Sequence, residues 1–301
     1  MAVQAIDFLG LNIFKADGLE ETKKTPGLAD FDLVELSPKL AEGFWRPLKI
    51  SWRMEITDRP IIEQIRSKRA RKQIRSDEKK LASLGIEIKI IPELSEEIFR
   101  QWLSLYEEKM KEKEKGIVVI GPNWLKNKIS RRIVFGAVLA YCQGQIIGGN
   151  LFHRIKDRLS LSYGVAERTE GLIGGLGLLL DYYSLLHAQK SGFKLISFGQ
   201  DENFYGFHLS SGLLFYKAKL GLKPVPAYKT AWATTFFLNL AKFDEQLLFF
   251  VQENEEFILN VICKGEIPPD PAAIYLPLGV KESRVLAAQE VLDKNRKFLL
   301  T

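Results

Sequence analysis

LSLSYGVAERTEGLIGGLGLLLDYYSLLHAQKSG, residues 159–192, reads as a strand, a glycine-rich turn and a helix. Residues 159–166 have the β-rich composition of a strand. Gly171, Gly174, Gly175 and Gly177 let the backbone turn tightly and present its N–H groups. The helix that follows, ended by Gly192, adds partial positive charge at the same place. A phosphate or pyrophosphate fits such a loop. No G-x-G-x-x-G and no G-K-[ST] occurs, so neither the Rossmann fingerprint nor a P-loop explains it.

Working outward, Ile86–Ile91 alternates as a strand, and Leu94 to Met110 carries a helical apolar stripe behind the N-cap Ser95. Residues 124–132 predict a short second helix. Residues 133–141 and 146–155 predict a hairpin turned by Gln143-Gly144-Gln145, which leads into the strand 159–166. Downstream come a strand at 194–199, an irregular or helical stretch to Gly221, and β-rich residues 223–237. Then follow a strand-like LLFFV, prolines 268, 269, 271 and 277, and an amphipathic helix expected over Val280 to Leu299. The order is strand, two helices, three antiparallel strands, glycine loop, helix, strand, helix, strands. It predicts an α/β chain of the α+β type, with a mostly antiparallel mixed sheet flanked by helices. It excludes a barrel of βα units and a doubly wound sheet. The expected division is an N-terminal arm at 1–59, a basic helix at 60–84, the main domain at 85–238 and a C-terminal extension at 239–301. Trp45 and Trp52 imply that the arm packs on something.

The chain has 301 residues, 46% hydrophobic and 27% charged, with a net charge of +6. This is ordinary globular composition. Segment 66–80 holds eight basic and two acidic residues, so the positive charge is local. Its apolar residues Ile61, Ile65, Ala70, Ile74, Leu81 and Leu84 follow helical steps, opened by Pro60 and closed by Gly85. The basic face reads either as a solvated surface or as a cradle for a polyanion. Cys142 and Cys263 lie far apart in apolar settings, which predicts no disulfide framework and a reducing compartment. Three histidines without close partners argue against a zinc site, so no metal is expected. No apolar run approaches the length of a membrane span, and no secretory signal is read at the start. A cytoplasmic location is expected.

Residues 61 to 226 resemble the Fem-type (FemAB-like) branch of the GNAT acyltransferase superfamily. Five stretches carry the likeness: RSKRARKQIRSDEKKL (66–81), AVLAYCQGQIIGGNLFHRI (137–155), GGLGLLLDYYSLLHAQKSG (174–192), KLISFGQ (194–200) and FYKAKLGLKPVP (215–226). The family's donor loop, Q/R-x-x-G-x-G/A, is matched at Arg168 and Gly171, with Ile173 in the last place. The resemblance implies a GNAT-like fold and an N-acyltransferase. Such an enzyme moves an acyl group from acyl-CoA, with acetyl-CoA the expected form, to an amine of an amino sugar, amino acid, peptide or cell-envelope precursor. The donor phosphates would lie on Gly171, Gly174, Gly175 and Gly177, with Arg168 adding charge and the pantetheine along 159–166.

Acid–base candidates cluster after the Phe-Gly strand: Asp201, Glu202, Tyr205, His208 and Ser210, then Tyr216 and Lys217. The resemblance places a lysine at Lys217, so Lys217, Tyr205, Asp201 and His208 are the expected catalytic set. His153 and His187 sit in apolar patterns and read as packing residues. Two alternatives stand beside acyl-CoA transfer. One is an aminoacyl-tRNA-dependent transferase holding tRNA on helix 66–80. The other is a non-catalytic module that keeps the fold for binding.

Overall fold

The computed structural model describes residues 4–8, 10–113, 116–207, 209–253, 256–267 and 282–300. They fall into two compact units: Met1–Ser51, Gln200–Ala218 and Pro224–Thr301 form unit 1, and Trp52–Gly199 with Lys219–Lys223 form unit 2. The strands begin with β1 (Gln4–Phe8), β2 (Leu11–Ala16), β3 (Leu33–Leu36), β4 (Phe44–Pro47), β5 (Lys49–Glu55), β6 (Ile86–Ile91), β7 (Phe135–Cys142) and β8 (Gln145–Ile155). They continue with β9 (Arg158–Ala166), β10 (Leu195–Glu202), β11 (Lys223–Pro226), β12 (Trp232–Phe237), β13 (Gln246–Glu253), β14 (Glu256–Cys263) and β15 (Glu282–Ala287). The helices are α1 (Leu19–Lys23), α2 (Ile61–Gln64), α3 (Lys68–Glu78), α4 (Glu96–Lys111), α5 (Trp124–Ile129), α6 (Leu176–Lys190), α7 (Ser211–Leu220) and α8 (Ala288–Leu300). The result is the mixed, antiparallel-dominated α+β class expected from the element order.

Unit 2 contains β6 to β9 whole, in the sheet ordered β11-β5-β10-β9-β8-β7-β6, of which β5, β10 and β11 belong to it only in part. β6 to β9 form an antiparallel meander, and β10 joins β9 in parallel. A parallel neighbour requires a crossover, and α6 supplies it. Helix α4 packs Phe99, Trp102, Leu103 and Tyr106 into the core with Leu139 and Leu151. Ser95 caps α4 by accepting a hydrogen bond from Ile98 N at 3.3 Å.

The basic helix breaks once. α2 ends at Gln64, Ile65 takes an extended ψ of 122°, and Ser67 restarts the chain as N-cap of α3 by accepting from Ala70 N. The serine, a strong cap former, explains a break that the apolar spacing hides.

In unit 1 a sheet runs β1-β2-β3-β12-β4 and a second runs β13-β14-β15. β12 lies antiparallel between β3 and β4, pairing Thr234 with Leu36 and with Trp45. Trp45 stacks on Trp232 at 5.7 Å, while Trp52, the first residue of unit 2, is fully buried. The core joins Leu11 and Leu33 to Phe204, Phe237, Phe243 and Phe249. One difference from expectation is local. Glu282–Ala287 is a strand parallel to β14, and only Ala288–Leu300 is helical. Pairing of Val285 with Val261 and Leu286 with Ile262 overrides the helical spacing there. Prolines 268, 269, 271 and 277 lie outside the described residues.

Candidate active site

In unit 2 the glycine loop is held from α3. Asp77, fully buried, accepts hydrogen bonds from Ile173 N at 2.9 Å and Gly174 N at 2.6 Å. Lys80 Nζ donates to Gly171 O at 2.7 Å, and Gln73 Nε2 reaches Ile173 O at 3.5 Å. The amides of Ile173 and Gly174 are therefore engaged by a carboxylate of the chain itself. A Cβ on Gly174 would meet Leu178 Cδ2 at 2.8 Å and Asp77 Oδ2 at 3.1 Å, so this glycine allows α3 to approach. Gly175, at φ 80°, is the N-cap of α6 and has no side-chain cap. The next open position is Gly177, where a Cβ would meet only Ala166 Cβ at 3.9 Å. Arg168 is exposed.

The strand leading into this loop has an open edge. The β9–β10 register pairs Arg158–Leu161 with Leu195–Phe198 and then stops. Gly199 follows with φ 70°, a left-handed backbone that turns β10 out of the ladder. β9 continues to Ala166 on its β8 side, with a register shift between Leu151 and Phe152 that leaves Ser162 without a counterpart. Segment 162–166 thus runs toward Gly175 without a β10 partner on its other side.

The flank of α6 carries polar groups that sequence reasoning missed. Asn150 Nδ2 donates to Asp181 Oδ1 at 2.8 Å and to Ser184 Oγ at 3.3 Å. Burial and the nearby Arg69 hold the Lys219 ammonium below its usual pKa, against the pull of Asp181. Burial pushes the Tyr183 hydroxyl up to about 12, helped by Glu78. The signal for Asp181 and Asn150 was weak, since each is a lone polar residue in an apolar element.

Exposed cations surround the loop's support. Lys68, Arg69, Lys72, Arg75 and Lys79 point to solvent, and none forms an ion pair among the described residues. His153 bonds Ser162 Oγ through Nδ1 at 3.1 Å, and His187 lies against the Phe152 ring at 4.9 Å. Burial lowers both imidazole pKa values.

In unit 1 three of the expected catalytic residues meet. Lys217 Nζ donates to both Asp201 oxygens at 2.7 Å, and Tyr205 OH donates to Asp201 Oδ2 at 2.7 Å. Asp201 is 8% exposed, Lys217 7% and Tyr205 0%. His208 lies outside the described residues. Nearby on the surface Lys49 pairs with Glu202 at 2.7 Å, and Tyr228 OH bonds Gln200. Among the described residues no cluster of His, Cys, Asp and Glu is arranged to hold a metal ion. No helix among them is long and apolar enough to cross a membrane.

No family model matches the chain, and no curated protein matches it. Solved structures do. The crystal structure of FemX is similar at 10% identity over 76% of this chain and 81% of that one, with a TM-score of 0.49. The C-terminal domain of a putative lysylphosphatidylglycerol synthetase from Agrobacterium fabrum is similar at 13% identity, over 74% and 76%, with a TM-score of 0.42. A tandem GNAT protein from the clavulanic acid biosynthesis pathway is similar at 11% identity, over 68% and 63%, with a TM-score of 0.39.

Proposed function

We propose that this protein is an N-acyltransferase that moves an acyl group from acyl-CoA, acetyl-CoA in the simplest case, to an amine in the cytoplasm. The observation that carries the reading is the β9–β10 ladder that ends at Leu161 and Phe198, beside a glycine-capped helix. A donor's pantetheine amides hydrogen-bond to the free edge of residues 162–166, as an added strand would. Its pyrophosphate takes the N–H groups from Gly175 onward, where the helix dipole favours negative charge. Gly174 N–H is left to Asp77, and Arg168 contributes charge from the loop.

The acceptor nitrogen attacks the thioester carbonyl, the C–S bond breaks, and CoA leaves as thiolate. The enzyme's contribution is chiefly to place the two reactants. Lys217 and Tyr205 both direct their donors to Asp201, so this triad acts as a rigid positioning group for the end of β10. His208 is our candidate for taking up the amine proton. The acceptor class is an amino sugar, amino acid or peptide amine.

Calorimetric titration with acetyl-CoA, followed by mass spectrometry of released CoA and acylated amine, tests the reading. Gly177→Val adds a side chain at an open place and should weaken acetyl-CoA binding about tenfold or more, with the fold retained. Unchanged affinity in the folded variant would remove the donor assignment. The free cations of α3 favour a second reading, aminoacyl-tRNA as donor. Binding of tRNA that fades steeply with salt, in a protein that ignores acetyl-CoA, would replace the first by the second.

A further inference from the structure

In unit 2 the sheet register lines up one row of side chains. Phe135 on β7 pairs with His153 on β8, His153 with Ser160 on β9, and Ser160 with Ser197 on β10. Paired residues share a face of the sheet, and so do residues two apart on one strand. At the β7 end this face is apolar, with Phe135 against the Trp124 ring of α5 at 4.5 Å. From β8 onward the row is polar. β9 begins Arg158-Leu159-Ser160-Leu161, so Arg158 stands on the face of Ser160 and His153, and the buried Leu159 and Leu161 on the other.

Arg158 is half-buried, and its Nε is enclosed without a partner. Its two Nη atoms are not enclosed, and they too make no hydrogen bond or ion pair among the described residues. Asp157, the carboxylate beside it in the chain, is exposed and does not pair with it. Cations gather here. Burial and the Arg158 charge lower the pKa of Arg53, on β5. Burial, then Lys128 and Arg158, lower that of His153. A half-buried guanidinium among like charges, with two outer nitrogens unanswered, is explained if an anion completes it. The place adjoins the free edge of β9, because His153 bonds Ser162 Oγ at 3.1 Å and Ser162 is the first residue of that edge.

We propose that Arg158 binds a carboxylate of the acceptor, each Nη donating to one oxygen, with Arg53 adding charge. A planar carboxylate matches the two outer nitrogens of the guanidinium fork. Four strand steps separate Arg158 from Ser162, at most roughly 13 Å. An extended chain of about three or four residues covers that length. The acceptor is then a short peptide whose free carboxylate sits on Arg158 and whose amine reaches the free edge at Ser162. The naming of the acceptor rests on the acyltransferase reading, whereas the carboxylate site does not.

The probes are triglycine and triglycinamide, titrated into the full chain without acetyl-CoA and followed by the ring resonances of His153 and His187. Triglycinamide keeps the amine and lacks the carboxylate. His187, which lies against Phe152 on the opposite face, is the control. We expect saturable shifts of His153 with triglycine at millimolar concentration, with His187 unmoved, and binding of triglycinamide weaker by at least about tenfold. Arg158→Gln should bind triglycine no better than triglycinamide. Equal binding of the two peptides by the wild-type chain, equal movement of both histidines, or unchanged triglycine affinity in folded Arg158→Gln would each overturn the site. Inorganic phosphate binding there more tightly than triglycine would overturn the carboxylate. If Arg158→Gln does not fold, the comparison of the two peptides on the wild-type chain decides. Titration with acetyl-CoA separates the two readings. Triglycine binding in a protein that ignores acetyl-CoA keeps the carboxylate site and removes the transferase. Acetyl-CoA binding without discrimination between the peptides does the reverse.

Discussion

Lys217 shows how far a single residue can be read. Its motif marks it out, and position alone makes it a free cation for a phosphate or an oxyanion. Its partner lies sixteen positions earlier, on another element, and no local pattern announces it. The pair is buried, and Tyr205 closes the third hydrogen bond. Removing one member of such a pair leaves the other charge uncompensated. Lys217→Met should therefore cost about 3–5 kcal/mol of stability. The double variant Asp201→Asn/Lys217→Met should recover a large part of it. Chemical denaturation of the three proteins is the measurement. A single variant as stable as wild type would show that the carboxylate finds other support. The buried Arg46 was equally hidden. It pairs with Glu35 at 2.6 Å, bonds Thr235 Oγ1 and lies over the Phe204 ring, while burial lowers its pKa to about 10.

At the scale of elements, the strand–loop–helix of residues 159–192 was legible because glycine spacing and apolar runs are local. The division of labour inside the loop was not, because it depends on α3. Gly174 stands where α3 presses closest, and Gly177 faces open space in the first turn of α6. The same substitution should then act with opposite sign. Gly174→Ala drives its methyl toward Leu178, Asp77 and Gln73 and should destabilise by about 1–3 kcal/mol. Gly177→Ala removes glycine's flexibility from a helix without a clash and should stabilise by about 0.4–1 kcal/mol. Thermal unfolding of the two variants side by side decides it. Equal signs would mean that α3 does not seat on the loop through Asp77. Gly199 teaches the same lesson for strands. The Phe-Gly ending was visible in the sequence, but its left-handed φ and the end of the ladder beside it belong to the folded chain.

At the scale of the whole molecule, unit 1 is assembled from three separate stretches of chain, and this was the least legible feature. β3 finds β12 some two hundred residues later, a long-range choice that local propensity does not encode. The distribution of histidines between the units gives a test. His153 and His187 belong to unit 2, and burial lowers the pKa of both. A lowered imidazole pKa means that, near pH 6, the unfolded chain binds more protons than the folded one. Stability from these groups is full above the ordinary histidine value and is lost as pH falls through and below it. Between pH 7.5 and 5.5 the histidines are the only side chains whose ordinary pKa is crossed. Acidification over that range should lower the protection of unit 2 amides against hydrogen exchange, β7 to β9 and α6 included. His153→Gln/His187→Gln should flatten the dependence, since neither replacement gains a proton. Hydrogen exchange read by mass spectrometry at the two pH values follows each unit separately. An equal loss of unit 2 protection in the double variant would place the acid sensitivity on other groups.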